Sequence, residues 1–350
     1  MRRRQREGEL DPRLREGYRR CAELTWRYGT TYFWGAALLP RRSRRHVYAV
    51  YALCRLADDI VDLPDSSPKL IQRASPQPFK GPRPRPAQGQ GPEPVDGPAP
   101  TSTDHVGVGE RLEVFADTFR TALMERTSTD PVIAAIVHTV ITCGIEPECF
   151  ERFFGAMAMD LTVSSYETWE DLCGYMEGSA AVIGEMMLPV LEPLDPAAKA
   201  PARALGLAFQ LTNFLRDIEE DLDRERIYIP QADLRQFGVD LGMRRATPEF
   251  QALMRYEIER NRALYSFADS GIAMLPPRSA RCVGNARVLY ARILDRIEAE
   301  GYDVFAGRVR VPTWRKALTT ARMMVTGPRT NRGLGIDRAR SMSDVTSNPS

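Results

Sequence analysis

The sequence predicts an all-α protein, and the spacing of its apolar residues is the first reason. Outside one proline-rich region, apolar residues recur at intervals of three and four, whereas the alternation typical of a strand is hard to find. The clearest run is Leu205, Phe209, Leu211, Leu215, Ile218 and Leu222. Helix-start signals are the second reason: Ser43 precedes one apolar segment, and Thr247-Pro248 precedes another.

The domain organisation follows from composition along the chain. The 350 residues are 43% hydrophobic, enough to fill a sizeable core. Eleven of the 26 prolines lie between Pro64 and Pro100, so the segment from about 64 to 109 is predicted to be a disordered insert. Residues 1–11 form a basic N-terminal arm, and 327–350 are predicted to be a disordered tail. Residues 12–326 are predicted to be a single domain that this insert interrupts.

Several classes of function are disfavoured by the sequence. A net charge of +2 gives no reason to expect a nucleic-acid partner, and the six cysteines contain no Cys-x-x-Cys pair. No apolar run of about 18 residues is present, and acidic residues follow the first arginines, so a cytoplasmic location is expected. The arm through Arg6 could contact anionic lipid, although a solvated tail is the simpler interpretation. Nucleotide-binding glycine motifs are absent, and His46, His105 and His138 lack metal-ligand spacing.

The first motif with chemical meaning is an acidic helix that ends near residue 62. Tyr51, Arg55, Asp58 and Asp62 are spaced by four, three and four residues, so they share one helix face, and Asp59 lies beside them. Most of the other residues in the segment from Tyr48 to Asp62 are apolar, which indicates that the helix is substantially buried.

A second segment repeats this geometry. Gln210, Asn213, Asp217 and Asp221 are spaced by three, four and four residues, and Arg216 lies among them. Either helix alone is most simply read as the solvated face of an amphipathic helix. Together, two acidic faces on largely apolar helices predict a site for divalent cations and a diphosphate, because buried carboxylates need neutralising partners.

The chain resembles the squalene and phytoene synthase family, whose two aspartate-rich helices read much as Arg55-x-x-Asp58-Asp59-x-x-Asp62 and Asn213-x-x-Arg216-Asp217-x-x-Glu220-Asp221. Shorter matches support the resemblance, among them Met159-Asp160-Leu161 and Arg226-Ile-Tyr-Ile-Pro230. It implies an isoprenoid-synthase-type helical bundle around a central cavity, and a prenyltransferase that uses Mg²⁺, or alternatively Mn²⁺, without NADPH.

The resemblance also implies a role for each matching residue. The metal ligands would be Asp58, Asp59, Asp62, Asn213, Asp217 and Asp221. The catalytic residues would be Tyr51, Arg55, Tyr175 and Arg216, and the substrate-binding residues would be Thr31, Gln210, Tyr228, Tyr290 and Arg308. The chain departs from the family at Gly29-Thr30-Thr31-Tyr32, where a Ser-x-Ser/Thr-Phe-like run is usual, and in the middle of the helix break at 178–184.

Three activities remain open at this point. The resemblance favours the head-to-head condensation of two geranylgeranyl diphosphates to phytoene, through a cyclopropyl diphosphate intermediate, in carotenoid biosynthesis. A squalene-type synthase acting on farnesyl diphosphate is the first alternative. A non-catalytic assembly factor of the same fold is the second, although the complete set of aspartates disfavours it. The sequence does not predict the oligomeric state.

Overall fold

A computed structural model describes residues 10–62 and 102–306 of the chain. The described residues form thirteen α-helices, and their only β-type pairing is an isolated bridge between Ser165 and Ile227. The all-α prediction is therefore confirmed. The helices before the proline-rich region are α1 (Pro12–Tyr28), α2 (Thr30–Ala36) and α3 (Arg41–Asp62). Those after it are α4 (Ser102–Glu125), α5 (Pro131–Cys143), α6 (Glu148–Met159), α7 (Trp169–Met176), α8 (Val182–Leu191), α9 (Lys199–Arg216), α10 (Ile218–Asp223), α11 (Gln231–Phe237), α12 (Pro248–Ile272) and α13 (Pro277–Ala299).

Local sequence signals define most helix starts. The Asp11 carboxylate accepts a hydrogen bond from the Arg13 amide and caps α1, and Thr168 and Asp171 form a reciprocal capping box at α7. The predicted cap at Thr247 is confirmed, since its hydroxyl accepts from the Phe250 amide. The prediction at Ser43 is wrong, because α3 begins directly after Pro40.

The predicted boundary of the insert also needs correction. Helix α4 begins at Ser102, so residues 102–109 are helical rather than part of the loop. Gly107 and Gly109 lower helix propensity, but Val108 is buried on the same face as Leu112, and its burial stabilises the first turns. The remaining insert residues, the arm before Leu10 and the segment from 307 onward lie outside the described residues.

The core of the described residues has two large apolar clusters and a smaller third one around Tyr166, Tyr175, Phe214 and Tyr228. One large cluster is built mainly from α1, α3, α4, α5, α6 and α8, and the other from α9, α12 and α13. Helix α9 links the two, because it packs against α12 and α13 on one side and against α8 on the other. In residues 10–62 and 102–306, no helix has both the length and the apolar content needed to cross a bilayer.

Between α7 and α8 the backbone forms a π-helix over Glu177–Ala181. Its neighbours approach unusually closely: a Cβ atom built on Gly178 would lie 2.5 Å from the Arg152 carbonyl oxygen, and one on Gly206 would lie 2.3 Å from the Ala180 carbonyl oxygen. The glycines therefore allow α6 and α9 to pack directly on the π-helix. This is the segment in which the sequence predicts a helix break.

Candidate active site

The first acidic segment lies at the C-terminal end of α3. Asp59 is buried and forms an ion pair with Arg55, one helical turn earlier. The Arg55 guanidinium also lies 4.4 Å from the centre of the Tyr28 ring, so α1 helps to hold it. Asp58 is half-buried on the neighbouring face. Burial raises the pKa of the Tyr51 phenol, Arg55 opposes the shift, and the charge of Asp58 adds a smaller contribution to it.

The second acidic segment spans the junction of α9 and α10. The Asn213 amide lies 3.4 Å from the Gln210 side-chain oxygen, which places both amides on one face of α9. The helix is interrupted at Asp217, where φ is −105° and ψ is 18°. Arg216 holds the Asp217 carboxylate with two hydrogen bonds, the Nε contact being 2.7 Å long.

Asp221 shows how strongly charge is concentrated in this segment. Burial raises the pKa of its carboxyl to about 7, and the negative charges of Asp217 and Glu220 add to the effect, whereas Arg224 and Arg226 oppose it. A crowded, partly desolvated carboxylate of this kind is stabilised when a cation binds beside it.

A cluster of aromatic rings connects the two acidic helices. Tyr32 on α2 lies 5.5 Å from Tyr51 on α3, 6.3 Å from Phe209 on α9 and 5.8 Å from Tyr290 on α13, measured between ring centres. Phe209 and Tyr290 are stacked at 4.3 Å. Burial raises the pKa of Tyr32 well above its ordinary value, and a hydrogen bond with Tyr290 contributes. The helices that carry the two acidic segments are therefore joined by an aromatic cluster that contains three phenol hydroxyls.

Tyr175 and Tyr228 belong to a second aromatic group beside α9. Tyr228 is stacked on Phe214 at 3.9 Å, and Tyr175 lies 5.9 Å from Tyr228. Both phenols donate to Asp160, at 2.7 Å from Tyr175 and 3.3 Å from Tyr228. The sequence places Asp160 in a family motif without giving it a role, and the structure shows that its carboxylate fixes both phenols.

The donor set suits magnesium better than it suits a closed, all-protein metal cage. Among the described side chains, no three acidic, histidine or cysteine residues converge into a metal site. Magnesium is commonly held by one or two carboxylates together with substrate phosphates and water. The oxygen-rich acidic segments, with Asp221 crowded by Asp217, fit that arrangement.

Some predicted site residues cannot be placed in full. Asp62 lies in the last turn of α3 and Thr31 in α2, but their side chains are outside the description, and Arg308 is outside the described residues.

The structure also brings together two histidines that look isolated in the sequence. The Tyr18 hydroxyl lies 3.2 Å from His46 Nδ1 and 2.7 Å from His138 Nδ1, in a mostly buried network completed by Thr139.

Comparison with known proteins identifies the family. Residues 26–315 match the sequence profile of squalene/phytoene synthases. The chain belongs to the squalene/phytoene synthase family. A phytoene synthase from Arthrospira platensis is 31% identical over 87% of this chain and 91% of its own length, and a 15-cis-phytoene synthase from Synechocystis sp. is 33% identical over 87% and 83%.

Solved structures agree with this family assignment. The squalene synthase HpnC from Alicyclobacillus acidocaldarius superposes with a TM-score of 0.66 at 28% identity, covering 85% of this chain and 98% of its own. A dehydrosqualene synthase in complex with a ligand has a TM-score of 0.69 at 23% identity, with coverage of 88% and 95%, and shows the shared fold. The sequence-based resemblance is confirmed.

The structure explains why this squalene/phytoene synthase differs from the family pattern at Gly29-Thr30-Thr31-Tyr32. A Cβ atom on Gly29 would lie 2.5 Å from the Tyr51 Cζ atom, so a larger residue could not accompany Tyr51 in its present position. Tyr32, which the sequence-based site omits, occupies the centre of the aromatic cluster. Sequence spacing could not reveal it, because its partners come from three other helices.

Proposed function

We propose that the protein condenses two molecules of geranylgeranyl diphosphate head to head to form phytoene, within one catalytic domain spanning residues 12–326. The observation that carries the proposal is the pair of acidic segments on α3 and α9–α10 connected by the Tyr32, Tyr51, Phe209 and Tyr290 rings. Relatives named phytoene synthase at 31% and 33% identity support the choice of substrate and product.

The acidic segments would hold Mg²⁺ through the carboxylates of Asp58, Asp62, Asp217 and Asp221, with Asn213 as a neutral oxygen ligand. When bound, magnesium would neutralise diphosphate oxygens and so make pyrophosphate a better leaving group. Asp59 is the weaker candidate ligand, because it is both paired with Arg55 and only 5% exposed, whereas Asp217, which also pairs with an arginine, remains half-buried.

The arginines and rings supply the rest of the chemistry. Arg55 and Arg216 are half-buried beside the aspartates, where their guanidinium groups can donate to diphosphate oxygens. Ionisation leaves an allylic cation, which the faces of Tyr51 and Tyr290 stabilise through their ring quadrupoles while water is excluded. The double bond of the second chain would attack this cation, and loss of a proton would close the three-membered ring of a cyclopropyl diphosphate. A second ionisation would release the second pyrophosphate, and rearrangement with loss of another proton would give phytoene.

The test is to incubate the purified protein with Mg²⁺ and either geranylgeranyl or farnesyl diphosphate, with and without NADPH, and to identify the hydrocarbon by mass. We expect phytoene from geranylgeranyl diphosphate without NADPH, and no turnover after treatment with a chelator. Preferential formation of a squalene-type hydrocarbon, or a strict requirement for NADPH, would move the assignment to the farnesyl-specific alternative.

A further inference from the structure

A basic surface lies at the end of the fold opposite the acidic segments. It consists of Arg41 and Arg42 at the start of α3 and Arg278 and Arg281 at the start of α13, and we call these four residues the arginine patch. Three of them are exposed, and Arg281 is half-exposed. Within the described ranges, none of the four forms an ion pair with a carboxylate.

The two halves of the patch are brought together by α2. A Cβ atom on Gly35 would lie only 3.5 Å from the Cys282 carbonyl oxygen, so α2 packs closely against the second turn of α13. Arg44 lies in the first turn of α3. Its guanidinium donates hydrogen bonds to the carbonyl oxygens of Ala36, Ala37 and Leu39, at 3.1, 2.6 and 3.0 Å. The α2–α3 turn and the start of α13 are therefore adjacent.

The charge of this surface is of one sign. The sequence contains no Asp or Glu from Gly29 to Ala57 or from Ala273 to Leu294. Acidic residues do occur in the loop before α9, where the Leu194 amide donates to the Met274 carbonyl oxygen at 2.8 Å and Glu192 and Asp195 are exposed. Four arginines without acidic neighbours on either segment create a local positive potential that the net charge of the chain conceals.

Helix lengths show how far the arginine patch lies from the acidic segment of α3 and from the aromatic cluster. Arg42 and Asp58 lie sixteen residues apart in α3, which is about 24 Å at 1.5 Å per residue. Arg278 and Tyr290 lie twelve residues apart in α13, or about 18 Å. The aromatic cluster thus lies between a negative end and a positive end of the molecule.

We propose that the arginine patch is the surface by which the protein docks on an anionic lipid bilayer. Lipid phosphates bind guanidinium groups through charge-assisted, often bidentate hydrogen bonds, and a negative membrane surface attracts the patch while repelling the acidic end. The biological rationale rests on the proposed function, because a prenyl diphosphate and a hydrocarbon product both partition into lipid. The orientation itself rests on the charges of residues 10–62 and 102–306.

Vesicle co-sedimentation of the full chain tests this proposal. The vesicles contain phosphatidylcholine alone or phosphatidylcholine with phosphatidylglycerol, and each protein is titrated at low and at high salt. We compare the double variant Arg41→Gln/Arg278→Gln with the control Arg126→Gln/Arg245→Gln, which removes the same charge from two exposed arginines outside the patch that also lack an ion pair in the described ranges. Melting temperatures show that each variant is folded.

The wild type should bind only the anionic vesicles, and salt should weaken its binding. The patch variant should bind on the order of tenfold more weakly, since each arginine near such a surface contributes substantially to partitioning, whereas the control should change by less than about twofold. An independent pair, Arg42→Gln/Arg281→Gln, should repeat the loss. Equal losses in patch and control variants, or equal binding of neutral vesicles, would overturn the proposal.

A turnover assay in detergent micelles separates this proposal from the proposed function. Neither patch variant should lose activity when detergent supplies the substrate, because the patch is remote from the acidic segments. If the wild type forms no phytoene in micelles, the proposed function fails, and the vesicle result still decides whether the arginine patch is a docking surface.

Discussion

Replacing Gly206 by alanine should separate α9 from the π-helix and so displace the second acidic segment. The added Cβ atom would lie 2.3 Å from the Ala180 carbonyl oxygen, 2.9 Å from its carbon and 3.2 Å from the Ala181 Cα atom, all of them backbone atoms that cannot rotate away. An unstrained carbon contact needs about 3.5 Å, so the helices must move apart by roughly 1 Å. Overpacking of this kind costs about 1–3 kcal/mol.

The same substitution at Gly174 provides the matched control. Gly174 lies inside α7, and nothing lies within 4 Å of a Cβ atom built on it. Alanine there should stabilise the protein by about 0.5–1 kcal/mol, because it restricts the unfolded chain. The two variants should therefore differ by roughly 2 kcal/mol or more in their free energy of unfolding.

Chemical denaturation and the phytoene assay together test this reasoning. Gln210 and Asn213 lie one and two turns beyond Gly206 in α9, so Gly206→Ala should also lower turnover, whereas Gly174→Ala should not. Equal stability of the two variants would refute the packing argument. A Gly206→Ala protein with lower stability and normal turnover would show that α9 moves without disturbing the site.

Three other substitutions test separate parts of the structure. Asp217→Asn should nearly abolish turnover at saturating magnesium while circular dichroism stays unchanged, because it removes a proposed metal ligand and relieves repulsion with Asp221; near-normal activity would reject the metal assignment. Asp160→Asn should lower the free energy of unfolding by about 1–3 kcal/mol, because Tyr175 and Tyr228 both donate to that carboxylate, and unchanged denaturation would contradict the structure. Glu257→Gln should flatten the pH dependence of stability. Burial raises the pKa of Glu257 to about 8; Asp233 adds to the shift, and Arg260 opposes it. The folded state therefore binds this proton more tightly than the unfolded state, whose pKa is near 4.5. The wild type should lose stability as the pH rises from about 4.5 to 8, and the variant should not.

The parts of the site that depend on helical spacing could be predicted from the sequence. Tyr51, Arg55 and Asp58 share a face because three- and four-residue intervals fix their positions in any helix. The same rule correctly grouped Gln210 with Asn213. These predictions need only the local geometry of one helix, which the apolar pattern establishes.

The parts that depend on contacts between distant segments could not be predicted in this way. Tyr32 meets rings from α3, α9 and α13, and His46 meets His138 through Tyr18, across 92 residues of sequence and three helices. The predicted end of the insert is wrong because composition marks a boundary only approximately, whereas burial of Val108 in the tertiary structure favours the helix. Tertiary packing overrides local propensity at such positions.

Gly29 and Tyr32, the two residues that differ from the family run before and within α2, are structurally linked through Tyr51. Serine at position 29 would place its Cβ atom within 2.5 Å of the Tyr51 ring, so the position of Tyr51 and the glycine require each other. With Tyr51 held against α2, its ring lies 5.5 Å from Tyr32, and the Tyr32 hydroxyl is hydrogen-bonded to Tyr290. Where the family run has serine and phenylalanine, Gly29 thus leaves room for the Tyr51 ring, and Tyr32 adds a hydroxyl group to the aromatic cluster.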